Sequence, residues 1–223
     1  MTQIAALVPM RHHSQRVPEK NFRVLGGKPL FHHILSTLLE VPELDTVNVD
    51  TDSSVIAEGI GKNFPAVNII DRPGDLRADE ISMNRIIAHD MSLIGADLYL
   101  QTHSTNPLLQ AGTISRAIQT YLENSRSGFD SLFSVTRLQT RLYDQAGKAL
   151  NHNPGELIQT QDLPPLYEEN SCIYLFTEAG LKKNGHRIGI SPYLFEISPA
   201  EAWDIDTPLD FEIVDFLMKK NRE

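Results

Sequence analysis

The stretch from Ala5 to Leu30, AALVPMRHHSQRVPEKNFRVLGGKPL, joins an apolar run to a cationic loop and then to the start of a helix. The apolar run, Ile4–Val8, predicts a short buried strand that ends at Pro9. A strand that feeds a cationic loop is how many α/β proteins present an anionic ligand at the carboxyl end of a sheet. The stretch has no Walker phosphate motif and no GxGxxG motif, so the cations must contribute to anion binding. These cations are Arg11, Arg16, Lys20 and Arg23.

Strand-like and helix-like segments alternate along the rest of the chain. This alternation predicts an α/β fold with an open, mostly parallel sheet and helices on both faces. Either Asp52 or Ser53 is expected to cap the second helix, and Asp204–Asp206 to cap the last one. The predicted strands are Ile4–Val8, Thr46–Asp50, Val67–Ile70, Leu98–Leu100, Ser131–Val135, Ser171–Phe176 and Tyr193–Ile197. The predicted helices are Leu30–Leu39, Val55–Asn63, Asn84–Leu93, Thr113–Glu123 and Pro208–Met218.

One segment interrupts the alternation. Residues 137–170 are polar, contain Pro164-Pro165 and show no helical period. We interpret them as an excursion of strands and loops that leaves the sheet and returns at Ser171. The sequence therefore predicts a single domain over residues 1–223 that carries this insertion.

Composition excludes several classes of function. A net charge of −9 argues against a nucleic-acid-binding protein or one that binds an anionic membrane, because both need a basic face. The single cysteine, Cys172, excludes an intrachain disulfide and a multi-cysteine metal site, and its apolar surroundings predict a buried structural thiol. With no signal peptide and no apolar run long enough to span a membrane, the protein is expected to be cytoplasmic.

Two carboxylates near the end of the chain are candidate metal ligands. Asp204 and Asp206 in WDIDTPLDF are spaced i, i+2, which puts both side chains on one side of an extended segment. Such an oxygen pair suits Mg²⁺, with Mn²⁺ as an alternative, because Mg²⁺ keeps waters and takes further ligands from its substrate. Helix capping by the two acids is the alternative without a metal. The adjacent pairs His12-His13 and His32-His33 do not have the spacing of a zinc site.

Several segments resemble the acylneuraminate cytidylyltransferase family, which makes CMP-activated sialic acids. The family opens with A-R-x-G-S-K-G-I-P-x-K-N, and this chain keeps five of those positions and continues with Gly27-Lys28-Pro29-Leu30. Among the departures, His13 replaces a glycine, Gln15 the lysine and Arg16 the second glycine. The positions kept in the opening motif are Arg11, Ser14, Pro18, Lys20 and Asn21.

The resemblance extends to four later segments. Arg72-Pro73 with Leu76, Asp79 and Ser82 is similar to R-P-x-x-L-x-x-D-x-x-S, which frames the cytidine in that family. The segment QTHSTNPL is similar in part to L-L-Q-P-T-S-P-L; it keeps Thr105 and has His103 where the family has a substrate-reading glutamine. Asn170-Ser171-x-Ile173-Tyr174 is similar to N-G-x-I-Y, with Ser171 in place of glycine. The family's I-D-I-D-T aspartates, which hold its catalytic metal, correspond to Asp204 and Asp206.

The resemblance implies a nucleotide-diphospho-sugar transferase-like fold and a cytoplasmic cytidylyltransferase that uses CTP, Mg²⁺ and an acidic keto-sugar. It implies catalytic roles for Arg11, Lys20 and Asp206. It implies that residues 137–170 form the contact of a homodimer; a surface flap is the alternative. Taken together with the chemistry of Arg16 and His103, which depart from the motifs, the predicted nucleotide-binding residues are Arg11, Ser14, Arg16, Lys20, Asn21, Arg72 and Ser82, and the predicted sugar-binding residues are His103, Thr105, Asn170 and Tyr174.

Two alternative functions stay open at this point. The acceptor can be a 3-deoxy-manno-octulosonate or another carboxylated compound, because His103 departs from the family at the acceptor end of the pocket. The chain can also be a CTP-binding regulatory module without activity, because Gln15 replaces the family's usual lysine. Retention of Arg11, Lys20 and the aspartate pair argues against this second alternative.

Overall fold

The computed structural model describes residues 2–14 and 16–220. The strands are Ile4–Leu7 (β1), Val24–Leu25 (β2), Lys28–Pro29 (β3), Thr46–Thr51 (β4), Val67–Asp71 (β5), Leu98–Gln101 (β6), Ser131–Leu138 (β7), Leu166–Phe176 (β8) and Pro192–Glu196 (β9). The α-helices are Leu30–Leu39 (α1), Ser54–Asn63 (α2), Met83–Leu93 (α3), Ala111–Asn124 (α4), Glu178–Asn184 (α5) and Pro208–Lys220 (α6).

Seven strands form one sheet in the order β5-β4-β1-β6-β8-β7-β9, and β2 pairs with β3 in a separate hairpin. The pairs β5–β4, β4–β1, β1–β6 and β7–β9 are parallel. Strand β8 is antiparallel to both of its neighbours, β6 and β7. Six strands therefore run in one direction and bring their carboxyl ends to one edge of the sheet. The predicted mostly parallel sheet is confirmed.

Helices cover both faces of the sheet, as predicted. Apolar residues of α1, α2 and α4 pack on one face, where Ile34, Ile60 and Ile118 are buried. Residues of α3 and α5 cover the other face through Ile87, Met91 and Leu181. Burial of each large aliphatic side chain contributes about 1.5–3 kcal/mol, so these two layers supply most of the free energy that holds the sheet together.

Helix α5 and the hairpin formed by β2 and β3 were not predicted. The hairpin places Leu25 beside Ile205, Phe211 and Val214 in a third apolar cluster, which fixes α6 against the segment that follows β1. Gly26 and Gly27 both have positive φ angles, 53° and 88°, which the tight connection between β2 and β3 requires. This cluster anchors α6 to the hairpin and to the start of α1.

The helix caps differ in part from the prediction. Ser53 caps α2, since its Oγ accepts a hydrogen bond of 3.3 Å from the backbone N–H of Ile56. The prediction that Asp204–Asp206 cap α6 is wrong. Thr207 Oγ1 accepts from the Asp210 N–H at 3.3 Å, and Asp210 Oδ2 accepts in return from the Thr207 N–H at 2.7 Å. This reciprocal capping leaves the side chains of Asp204 and Asp206 available for other contacts.

Residues 139–165 connect β7 to β8. They contain an isolated bridge between Tyr143 and Ala149 and a short 3-10 turn at Thr160–Asp162. Strand β8 begins at Leu166, inside the predicted excursion, and β7 extends to Leu138. The role of this segment in a dimer stays a prediction.

Cys172 is fully buried, and burial raises the pKa of its thiol, as expected for a structural cysteine. Across residues 2–14 and 16–220, no helix combines the length and apolarity that a membrane span needs.

Candidate active site

A pocket of about 470 Å³ opens at the carboxyl edge of the sheet. The loop after β1, the segment after β5, the loop after β6 and the segment before α6 all contribute to its walls. Ten of the thirteen predicted site residues line it: Arg11, Ser14, Arg16, Lys20, Asn21, Arg72, His103, Thr105, Asp204 and Asp206. Parallel strands deliver these separate segments to one place because their carboxyl ends meet at the same edge.

Two cations meet Asp206 at the centre of the pocket. Lys20 Nζ donates to the Ile205 carbonyl at 2.6 Å and to Asp206 Oδ1 at 3.4 Å, and the lysine is buried. Arg16 Nη1 donates to Asp206 Oδ2 at 2.8 Å from the exposed side of the pocket. A backbone hydrogen bond of 2.9 Å from Ile205 to the Thr105 carbonyl ties this segment to the loop after β6. Positive and negative groups are therefore held side by side.

Asp204 lies deeper than Asp206. Burial raises the pKa of its carboxyl group, a hydrogen bond from Thr105 lowers it, and the charge of Asp206 raises it further. Its Oδ1 atom is buried and has no hydrogen-bond partner among the described residues. An unpaired buried carboxylate oxygen beside a second carboxylate fits a divalent cation, which would compensate the buried charge. Within residues 2–14 and 16–220, three or more acidic, histidine or cysteine side chains do not come together around a metal position, so substrate and water would complete the ligands.

The loop after β1 is held by Asn21. Its Nδ2 atom donates to the Arg11 carbonyl at 2.7 Å, and its Oδ1 atom accepts from Ser104 Oγ at 2.7 Å. Arg11 forms an ion pair with Asp79 across the pocket. Ser14 Oγ accepts from the Val17 N–H at 3.4 Å. The Gln15 departure lies outside the described residues.

Arg72 lies at the floor of the pocket and is only 1% exposed. Its Nε donates to Asp50 Oδ1, and Asp90 on α3 lies next to the same carboxylate. Burial and the charge of Asp50 raise the pKa of Asp90 to about 9, so Asp90 is protonated at neutral pH. The sequence prediction identified Arg72 but missed both aspartates.

His103 contributes to the pocket wall next to Gln101, whose Nε2 lies 3.0 Å from His103 Nε2. Since an amide NH₂ can only donate, His103 Nε2 accepts and its Nδ1 carries the proton. Burial, together with the charges of Arg187 and Lys20, lowers the pKa of His103 to about 4. His103 is therefore neutral at pH 7, a weak base that can both donate and accept a hydrogen bond.

Three predicted residues lie outside the walls of this pocket. Ser82 is exposed at the start of α3, between the pocket residues Ile81 and Met83. The Asn170 side chain links β8 to β7, because it accepts from Ser134 at 2.6 Å and donates to Thr136 at 3.0 Å. Tyr174 is 1% exposed.

Tyr174 connects the pocket to an arginine that the sequence prediction missed. The guanidinium carbon of Arg187 lies 3.8 Å from the centre of the Tyr174 ring. The Tyr174 hydroxyl donates to Glu169 and lies 3.2 Å from Ser171 Oγ, and Ser171 lines the pocket. Ser171 has a left-handed backbone with φ of 60°, which explains why glycine suits this position in the resembled motif.

A second pocket of about 440 Å³ adjoins the first and shares Ser171, Asp204 and Asp206 with it. Its other walls include Glu168, Glu169, Asn170, Thr136 and Trp203. The two pockets thus meet at the aspartate pair.

Comparisons with known proteins agree with this architecture. A sequence model described as Cytidylyltransferase matches residues 5–221. The chain is 28% identical over 233 residues to CMP-N,N'-diacetyllegionaminic acid synthase of Legionella pneumophila, with 99% of this chain and 98% of that protein covered. It is 27% identical over 219 residues to N-acylneuraminate cytidylyltransferase of Oncorhynchus mykiss, where 95% of this chain spans about half (49%) of the relative. The solved structure of CMP:2-keto-3-deoxy-manno-octonic acid synthetase complexed with CTP has the same fold, with a TM-score of 0.72, 16% identity and coverage of 99% of this chain and 100% of that chain.

Proposed function

The chain belongs to the Cytidylyltransferase family, and on this premise we propose that it transfers CMP from CTP to a hydroxyl group of an acidic keto-sugar and releases pyrophosphate. The proposed acceptor is a sialic acid or a related nonulosonic acid, because relatives are named for legionaminic and acylneuraminic acids. The observation that carries the proposal is the contact of Lys20 and Arg16 with Asp206 in the pocket. This contact joins phosphate-binding cations to a carboxylate at one position.

In the proposed reaction, the acceptor oxygen attacks the α-phosphorus of CTP. A new P–O bond forms as the acceptor hydroxyl gives up its proton to water, the bond from the α-phosphorus to the oxygen that bridges to the β-phosphate breaks, and pyrophosphate leaves with the negative charge. Such a step depends on alignment and charge neutralisation rather than on a covalent intermediate. Arg11, Arg16 and Lys20 would bind the triphosphate. Its oxygens would compete with the Asp206 carboxylate for Arg16 and Lys20.

The nucleoside would lie on the side of the pocket that Arg72 closes. The guanidinium offers a planar set of donors to a base carbonyl, and Ser82 offers a hydroxyl at the start of α3. Ser14 and Asn21 would complete the nucleotide site, Asn21 by holding the backbone of Arg11. The buried position of Arg72 supports a directional contact, since its side chain has no freedom to move.

Asp204 and Asp206 would hold Mg²⁺. When bound, the ion supplies charge neutralisation for phosphate oxygens and lowers the pKa of a coordinated hydroxyl group. Lys20 and Arg16 orient the Asp206 carboxylate, and Thr105 hydrogen bonds to Asp204. The unpaired Asp204 Oδ1 is the observation that supports the ion at this position.

The acceptor would lie beyond the aspartate pair, near His103, Thr105, Asn170 and Tyr174. Neutral His103 can orient an acceptor hydroxyl through its Nδ1–H, because Gln101 already occupies Nε2. Its pKa of about 4 makes it a poor general base at neutral pH. We therefore assign His103 to acceptor orientation.

The test is pyrophosphate release from CTP and Mg²⁺ with N-acetylneuraminic acid, a legionaminic acid and 3-deoxy-manno-octulosonic acid, with ATP, GTP and UTP as controls. We expect release with CTP and at least one nonulosonic acid. Asp206→Asn should lower kcat by about 100-fold or more and change the Kd for CTP by less than about threefold. Asp75→Asn, at an exposed position outside the pocket, is the matched control. Bound CTP without release for any acid would refute the proposal.

We also propose that two copies of the chain associate through residues 137–170. Several exposed apolar side chains in this segment support the proposal, because a partner that covers them would remove apolar surface from water: Tyr143, Leu150, Leu157, Ile158 and Tyr167. Leu157 is 94% exposed. Light scattering should give a dimer mass that Leu157→Glu reduces to a monomer. The exposed Leu93 on α3 provides the control, Leu93→Glu, which should stay dimeric.

A further inference from the structure

Three ionisable residues are buried together behind the first pocket. Asp50 belongs to β4, Arg72 directly follows β5, and Asp90 lies on α3. Each of them is 1% exposed. Arg72 is the member that reaches the pocket wall. We refer to these three residues as the Arg72 cluster.

The contacts within the Arg72 cluster leave one edge of the guanidinium unused. Nε of Arg72 donates to Asp50 Oδ1, and Nη2 lies 3.5 Å from the Asp50 carbonyl oxygen. Nη1 is buried and has no partner among the described residues. The Asp50 carboxylate therefore determines which edge of Arg72 stays available.

The two carboxyl groups require a shared proton. If both were ionised, Oδ2 of Asp50 and both oxygens of Asp90 would have no donor within reach in the part of the chain that the structure describes. The two groups are close enough to form a hydrogen bond with each other, which needs a proton on one of them. One buried cation also cannot compensate two buried anions, so a single negative charge is the stable arrangement.

The proton resides on Asp90. Burial is the main reason, and the charge of Asp50 together with their hydrogen bond adds to it; Arg72 acts in the opposite direction. These two residues, from β4 and from the end of β5, are the charged groups that act on Asp90. Asp50, in contrast, forms a direct ion pair with Arg72.

We propose that Asp90 is a positioning residue that acts in its protonated form: its O–H donates to Asp50 and holds that carboxylate against Nε of Arg72, which leaves Nη1 for the nucleotide. The proposal rests on the proposed role of Arg72 in CTP binding. It goes further, because it assigns a function in nucleotide recognition to a neutral acid that does not line the pocket. Without the donor, Asp50 is free to rotate and Arg72 loses its fixed direction.

Calorimetric CTP binding with Mg²⁺ tests the proposal without an acceptor. Asp90→Asn keeps the shape and an N–H donor, so its Kd at pH 7.5 should stay within about threefold of wild type. Asp90→Ala removes the donor and should weaken CTP binding by about tenfold or more. The control Asp75→Ala, at an exposed position, should bind CTP as wild type does.

The pH profile separates positioning from a merely structural role. Between pH 7 and 10 the wild-type Kd should rise as Asp90 loses its proton, and the Asp90→Asn profile should lack that rise. Titration of CTP and of groups other than Asp90 affects both proteins equally and cancels in the comparison. If Asp90→Ala does not fold, this comparison still decides the question.

Three results have distinct meanings. Identical pH profiles for wild type and Asp90→Asn, or unchanged CTP affinity in folded Asp90→Ala, would overturn the positioning role alone. CTP binding that responds to Asp90 as expected, without pyrophosphate release for any acid, would overturn the proposed reaction and leave the positioning role supported. Absence of CTP binding by the wild-type protein would overturn both.

Discussion

Replacement of His103 by glutamine should change how the stability of the protein depends on pH. The folded state holds the pKa of His103 at about 4, because burial and the charges of Arg187 and Lys20 disfavour the protonated ring. In the unfolded chain the ring has a pKa of about 6.5. As the pH falls through this window, the unfolded state takes up a proton that the folded state does not, so the free energy of unfolding decreases. Above pH 6.5 the effect is absent.

The loss of stability at low pH follows from the difference between the folded and unfolded pKa values of His103. Each pH unit between the two pKa values is equivalent to about 1.4 kcal/mol, so at pH 4.5 the wild-type protein should have lost about 3 kcal/mol through His103. This is an upper limit, since an edge of the ring faces the open pocket. Glutamine does not titrate, and its amide can still pair with Gln101. His103→Gln should therefore lose up to about 3 kcal/mol less than wild type between pH 7.5 and pH 4.5.

Urea unfolding followed by circular dichroism at pH 7.5, 6.5, 5.5 and 4.5 measures the difference. Carboxyl groups titrate in both proteins, so their contributions to the free energy of unfolding cancel in the comparison. His186→Gln, at an exposed position, is the matched control for the same exchange of residues. Parallel loss of stability in wild type and His103→Gln over the whole range would refute the reasoning, because it would show that His103 protonates at its ordinary pKa in the folded protein.

Three further changes test separate features. Arg187→Met should raise the pKa of His103, because it removes a nearby positive charge, and an NMR titration of the imidazole would detect this. An unchanged pKa would show that the charge of Arg187 does not act on His103. Ser171→Val should be less stable than Ser171→Gly by about 2 kcal/mol in urea unfolding, because a branched side chain is strained at a φ of 60°; equal stabilities would contradict the backbone geometry. Thr207→Ala should lower the free energy of unfolding by about 1 kcal/mol through loss of the α6 cap, whereas Thr37→Ala within α1 removes no cap and controls for the exchange.

The sequence predicted the fold well where a local pattern determines the element. Helix α1 begins and ends at the predicted residues, Leu30 and Leu39, because an apolar stripe and preceding turn residues define it. Strand β8 was predicted too short because its first residues, Leu166 to Glu169, are exposed and form a strand only by pairing with β7. Pairing partners far along the chain are not visible in a local pattern.

The site residues show the same difference between local sequence patterns, which can be recognised, and contacts between distant parts of the chain, which cannot. Arg11, Lys20 and Asp206 follow motifs that can be compared with a known family, and their side chains lie together in the pocket. Arg187 was missed because its position over Tyr174 depends on how the chain returns after α5. Asp90 could have been found, since it shares the buried stripe of α3 with Ile86, Ile87 and Met91, where an acid needs a partner.

The antiparallel pairing of β7 and β8 also bears on how such a protein can diverge. Residues 139–165 leave the sheet at Leu138 and return at Leu166, two positions that face each other in the register. A loop whose ends are neighbours can change length at little cost, about 0.6 kcal/mol for each doubling. Strands β1, β4, β5 and β6, which carry the cationic loop and Arg72, are unaffected by such a change. Insertions between β7 and β8 can therefore accumulate at this end of the sheet during evolution while the nucleotide side is inherited intact.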